Sequence, residues 1–141
     1  MMTDQVSAEA INAMLRHEFP EISYRCAEIG DRRAIAAYEI APIDLRPGGY
    51  VSGPTQFALA DAALWFATFA ALGRIEPMAL TSDLSIRFLR PATGHDLRCS
   101  ATIDILTHRR ALGTCTVWSS EQPDMITAIA HGSYALPGDV R

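Results

Sequence analysis

The residue best suited to chemistry in this chain is Asp61. Between Pro47 and Gly73 it is the sole charged side chain, set in the run SGPTQFALADAALWFATFAALG. A lone carboxylate in an apolar helix is desolvated, which raises its pKa and makes it a stronger base once ionised. Structural duties compete for it, since a buried Asp can also cap a neighbouring turn or pair with an arginine from another segment. The second group is the start of the same helix. Gly53 and Pro54 stand in its cap and first-turn positions, where backbone N–H groups lack helical acceptors and the dipole is positive, an arrangement suited to an anion. Pro54 has no N–H, so the donor is Gly53 or a neighbour such as Thr55, with Gly53 favoured. Asp61 lies roughly 12 Å further along the axis at 1.5 Å per residue. One small reacting group cannot touch both on one helix.

Missing residue types narrow the chemistry further. All 12 basic residues are arginine and there is no lysine, which excludes Schiff-base and pyridoxal mechanisms and the lysine of P-loop and kinase sites. Cys26, Cys99 and Cys115 are odd in number, far apart and without ligand spacing, so neither a disulfide framework nor a zinc site is expected. They read as reduced core thiols of a cytoplasmic protein. His17, His95, His108 and His131 show no paired metal spacing, and no metal or other cofactor is implied. A net charge of −4 lacks the clustered basic excess that nucleic acid requires. The segment MMTDQVSAEA, with Asp4, shows no export signal.

These groups need a scaffold. The chain of 141 residues is 49% hydrophobic, which points to one domain spanning residues 1–141 with a single core. Ser7 to His17 has a cap-like serine and helical apolar spacing, so a short amphipathic helix is expected before Pro20. Ile22–Ile29 and Ala34–Ile40 read as a hairpin around Gly30-Asp31-Arg32-Arg33. The loop RPGGYVSGP then leads into the apolar helix, closed by Gly73. Asp61 near its centre, its alanine-rich composition and the lack of an aromatic or basic belt argue against a membrane span, so protein must cover it on nearly every side. Leu80–Leu89, Leu97–Thr107, Ala111–Ser119 and Met125–Leu136 read as strands, the last preceded by a turn at Glu121-Gln122-Pro123-Asp124. Leu84, Ile86 and Phe88 share one face, as do Leu97, Cys99, Ala101, Ile103 and Ile105. This order implies an α+β fold, an antiparallel β-sheet wrapped around a long central α-helix.

The run GGYVSGPTQFALADAALWFA, followed by LTSDLSIRFLRPATGHDL, resembles the hotdog-fold acyl-CoA thioesterases of the phenylacetate-pathway (PaaI-like) type, with the LAD and FLRPA pair at this separation carrying the likeness. It covers roughly Arg46 to Leu97. The family commonly has an HGG turn with an upstream asparagine. Here Ser52-Gly53-Pro54 occupies the HGG positions and Arg46 the asparagine position. The resemblance implies hydrolysis of an acyl-CoA to a free acid and coenzyme A, with Asp61 either as general base on water or as nucleophile and Gly53 as donor to the oxyanion. It also implies that two helices pack antiparallel in a homodimer, so that Gly53 of one chain faces Asp61 of the other, with assembly to a homotetramer.

Thr81 stands where related thioesterases carry a Ser or Thr that holds water or substrate; its strand phase turns it away from Leu84, Ile86 and Phe88. Ser52 and Gln56 are polar neighbours of the site, and Trp65 is either acyl-pocket wall or core. The coenzyme's phosphates need arginines, for which Arg90, Arg109 and Arg110 are the candidates, the last two being alternatively a solvated turn. A non-catalytic acyl-CoA or fatty-acid binding hotdog protein is the competing reading, motivated by Ser52 and Arg46. A hotdog dehydratase would need a histidine near Asp61, and a transcriptional sensor a DNA-binding segment before Ile22; the sequence has neither.

Overall fold

A computed structural model describes residues 6–138, so Asp4 and the rest of the first five residues of the segment bearing on export lie outside the described residues. The first helix, α1 (Ala8–Glu18), begins where Ser7 Oγ accepts the Ala10 N–H at 3.0 Å, and buries Ile11 and Leu15. The strands β1 (Arg25–Gly30) and β2 (Arg33–Glu39) form the expected hairpin. A 3-10 turn, Pro42–Asp44, follows. The Pro/Gly-rich stretch, expected as loop, holds a two-residue ladder of β3 (Leu45–Arg46) and β4 (Tyr50–Val51). Gly48 and Gly49 turn that ladder with φ of 98° and 82°, a left-handed region that glycine enters at little cost.

The central helix α2 (Gly53–Leu72) ends as expected, with Gly73 at φ 76° returning its N–H to Phe69 O at 2.9 Å. Its cap differs by one position. Ser52, not Gly53, is the N-cap, because the serine oxygen can accept the Thr55 N–H and a glycine has none to offer. The helix is long and apolar enough to cross a membrane, yet its side chains Leu59, Ala60, Ala63, Leu64, Phe66, Ala67 and Phe69 are all fully buried.

What buries them is a six-stranded antiparallel sheet made with β5 (Leu80–Phe88), β6 (Asp96–Leu106), β7 (Arg110–Ser119) and β8 (Gln122–Ala135), in the order β1-β2-β6-β7-β8-β5. This is the hotdog arrangement. Close approach is enforced at Gly113, where an added Cβ would meet Thr102 O and come within 2.8 Å of Leu64 Cδ1. Truncating a ring at the centre of this contact, such as Phe66, costs about 3–5 kcal/mol by analogy with other cores.

Two expectations about the strands need correction. The last strand starts at Gln122, not Met125, and the reversal is Ser120-Glu121, so Pro123 lies within a strand where its ring removes one donor. Ile105 is 54% exposed and off the inner face, because the register slips between Ile103 and Ile105 and turns Leu106 inward in its place.

Candidate active site

Asp61 is half-buried midway along α2, and its carboxylate is held by two strands. Thr81 Oγ1 donates to Oδ1 at 2.8 Å, and the Tyr134 hydroxyl lies 2.6 Å from Oδ1 and 3.1 Å from the Asp61 carbonyl. Both hydroxyls converge on one oxygen. Among the described residues no donor reaches Oδ2. Burial, and then the adjacent Asp61 charge, push the Tyr134 phenol far above its ordinary value of 10.0, so it remains an O–H donor.

Thr81 was expected to face away from Leu84, Ile86 and Phe88, and it does not. Thr81 pairs with Tyr134 and Leu84 with Gly132, so β5 advances three residues while β8 advances two. The extra residue, Ser82, is a β-bulge that flips the phase and turns Thr81 inward beside Tyr134. Tyr134 itself was missed. Its signal lay in β8, where the inward set Ala128, Ala130, Gly132 and Tyr134 contains one large side chain with a hydroxyl that needs an acceptor.

At the start of α2 the donors can be counted. Pro54 has none, Thr55 N–H goes to Ser52 Oγ at 3.3 Å, and Gln56 N–H goes to Ser52 O at 3.3 Å. Of the first four positions, Gly53 alone keeps an N–H with no partner among the described residues. An added Cβ at Gly53 would lie 3.1 Å from the Phe88 ring, so the bare backbone lets that ring close over the helix start.

Two cavities separate these groups. One, of about 320 Å³, is lined by Asp61, Thr81, Tyr134, Tyr24, Trp65 and Leu80 among others. Its wall is aromatic: Trp65 meets Phe19 edge-on at 5.6 Å, and Phe69 at 5.1 Å. Trp65 is therefore both pocket wall and core, and its buried Nε1 has no hydrogen-bond partner among the described residues. Burial first, and then the charges of Asp44 and Asp61, raise the Tyr24 phenol. The other cavity, of about 300 Å³, brings together Gly53, Gln56, Phe88 and Arg90. Gln56 is buried and accepts from Thr127 Oγ1 at 2.9 Å, while Arg90 donates to Ile126 O at 3.0 Å.

Other candidates fall elsewhere. The Ser52 hydroxyl is committed to the helix cap and to Thr55 Oγ1 at 2.9 Å, and Arg46 is exposed on β3. Arg109 and Arg110 line neither cavity. Arg110 donates to Ser82 Oγ at 2.5 Å, and its register opposite Ala135 puts it on the other sheet face from Tyr134. The three cysteines are free and buried. Burial pushes the Cys26 thiol up to about 12, and burial with the neighbouring Cys115 raises Cys99, which disfavours a thiolate nucleophile at either. Among the described residues, no three His, Cys, Asp or Glu side chains gather into a metal-binding group.

Residues 48–126, more than half of the chain, match the profile of the thioesterase superfamily. A candidate thioesterase from a Silicibacter species is 28% identical, with a TM-score of 0.83 over 97% of this chain and 95% of its own. The E. coli PaaI protein of the phenylacetic acid degradation operon shares the fold at 19% identity and a TM-score of 0.74, covering 90% of this chain and 91% of that one. Zebrafish thioesterase superfamily member 2 does so at 14% identity and a TM-score of 0.77, over 93% and 99%. Among curated proteins no sequence match is found.

Proposed function

The chain belongs to the thioesterase superfamily and is a thioester hydrolase, and on that premise we propose that it hydrolyses an acyl-CoA at a site shared between two chains of a homodimer. Asp61 acts through Oδ2, either as base on water or as nucleophile, while Oδ1 is held by Thr81 and Tyr134. The Gly53 N–H of the partner receives the oxyanion, assisted by the helix dipole. The acyl group lies in the aromatic cavity. Among the described residues Asp61 is its one acidic lining residue and no basic one lines it, which favours an uncharged acyl chain. The coenzyme's phosphates run toward Arg90 beside Gly53. The free, buried cysteines fit a reducing, cytoplasmic setting.

The observation that carries this reading is the Asp61 carboxylate, fixed by two hydroxyls in an apolar cavity with one oxygen left to react. The shared site is supported by a stripe on α2 that the sheet leaves uncovered: Pro54 and Phe57 exposed, Ala58, Asp61, Ala62 and Trp65 half-buried, at helical spacing. Beside it runs β5, an edge strand open to a second copy. Exposed Ile105, Leu112 and Ile129 on the outer sheet face support further assembly to a homotetramer.

The test is release of free thiol from acetyl-, hexanoyl- and benzoyl-CoA by wild type and by Asp61→Asn. Loss of about 10²–10⁴-fold in the variant is expected, with the dimer retained in gel filtration. If no ester is hydrolysed, or the variant is as fast, the catalytic reading fails. One observation favours the competing reading of a non-catalytic acyl-CoA or fatty-acid binder: the helix start offers the oxyanion a single free N–H. Tight binding of the esters without turnover would establish it.

A further inference from the structure

One buried ionisable group takes no part in this chemistry. Asp44, at the end of the 3-10 turn, is 8% exposed, and among the described residues it forms no ion pair. Its charge is instead met by three neutral donors. The Tyr38 hydroxyl reaches Oδ2 at 2.7 Å, the Ala41 N–H reaches Oδ2 at 2.8 Å, and Thr55 Oγ1 donates to Oδ1 at 3.0 Å. Burying a carboxylate is costly unless every such bond is made. The arrangement is therefore sensitive to any one of them.

We propose that Asp44 is a positioning residue which aims the Gly53 N–H at the oxyanion; the inference rests on the thioesterase reading above. Two links run from Asp44 to that N–H. Its backbone carbonyl accepts the Ser52 N–H at 2.8 Å, which pins the chain just before the helix. Its carboxylate fixes the direction of the hydroxyl chain: because Thr55 must donate to Oδ1, Ser52 must donate to Thr55 Oγ1, and this leaves the Ser52 lone pairs to accept the Thr55 N–H. The Gly53 N–H belongs to the peptide that Ser52 begins, whose carbonyl is in turn held by the Gln56 N–H. Clamped on both sides, that peptide plane has one orientation. A displacement of about 1 Å at such a donor can cost 10²-fold in rate. The ionised carboxylate beside the first turn also favours the helix start through the dipole.

The test compares full-length wild type with Thr55→Val, which removes the hydroxyl at nearly constant volume, Thr55→Ser, which restores it, and Asp44→Asn, which cannot accept all three bonds. Turnover of acetyl-, hexanoyl- and benzoyl-CoA is measured together with the amide resonance of Gly53 in ¹⁵N-labelled protein. Thr55→Val and Asp44→Asn are expected to lower kcat about 10-fold or more, leave KM within about twofold, and shift the Gly53 resonance, with Thr55→Ser restoring both. A purely structural role would lower the melting temperature while leaving kcat and the resonance of the folded protein unchanged, which overturns the proposal. So does a loss that Thr55→Ser fails to repair. If wild type turns over none of the esters, the thioesterase reading falls on its own. The Gly53 resonance then decides: a shift repaired by Thr55→Ser upholds Asp44 as the group orienting this N–H, and an unmoved resonance overturns it.

Discussion

At the middle of α2, Asp61 is oriented by hydroxyls that lie 20 and 73 residues away in the chain. At its start, the backbone around Gly53 is organised by Ser52, Thr55 and Asp44, the longest of these links spanning 11 residues. The first half of the proposed site exists only when β5 and β8 are in register. The second is assembled by capping and turn chemistry that forms with the helix itself. A long-range half and a local half thus sit on one rod, and they should fail in different ways.

Among variants that keep the Asp61 carboxylate, the largest effect should come from uncoupling the long-range half. Removing both hydroxyls, in Thr81→Val with Tyr134→Phe, frees the Asp61 carboxylate to rotate and is expected to lower kcat about 100-fold. Single variants measured beside the double one would show whether the two act as a unit; a double variant within twofold of wild type would mean that the sheet does not organise Asp61 at all.

A smaller effect is expected at the local half. Gly53→Ala keeps the N–H but sets a methyl 3.1 Å from the Phe88 ring, which is 48% exposed and can give way. About 10-fold in kcat should be lost, with little change in melting temperature, and Phe88→Leu in the same chain should recover part of it. Recovery of none would place the damage in the helix cap rather than in the ring contact.

The smallest effect is on stability against pH. Burial, then the bond to Asp44, hold the Tyr38 phenol up at about 12, above its ordinary value of 10.0. A raised phenol stabilises the fold fully below about pH 10, the unfolded value, and that contribution is lost as pH climbs toward the folded one. Melting temperatures followed across this range should fall as the solution becomes alkaline, and fall less steeply in Tyr38→Phe. An equally steep fall in that variant would assign the alkaline loss to the other groups raised in the same sense, Tyr24, Tyr134, Cys26 and Cys99.

The contrast also explains what was legible beforehand. The span Gly53–Leu72 and its stop at Gly73 were readable because proline, glycine and apolar composition act locally. Asp61 stood out as a charge without company, and Gly53 as the donor next to a proline. Strand phase was less readable, since counting by twos assumes an unbroken ladder. The bulge at Ser82 turned Thr81 to the opposite face, and the slip near Asp104 moved Ile105 outward. Tyr134 and Asp44 went unnoticed for a related reason. Each acquires its role from a residue brought beside it by folding, and neither its type nor its neighbours in sequence announce the partner.

The distance along α2 between Gly53 and Asp61 has a genetic consequence. In the proposed dimer every site draws its donor from one subunit and its carboxylate from the other. Two chains, each disabled at a different one of these positions, would be inert by themselves. Brought together, they would form hybrids in which both lesions fall in the same site, leaving the opposite site wholly wild type. A recessive defect at the start of the helix would thus be rescued by a defect at its middle.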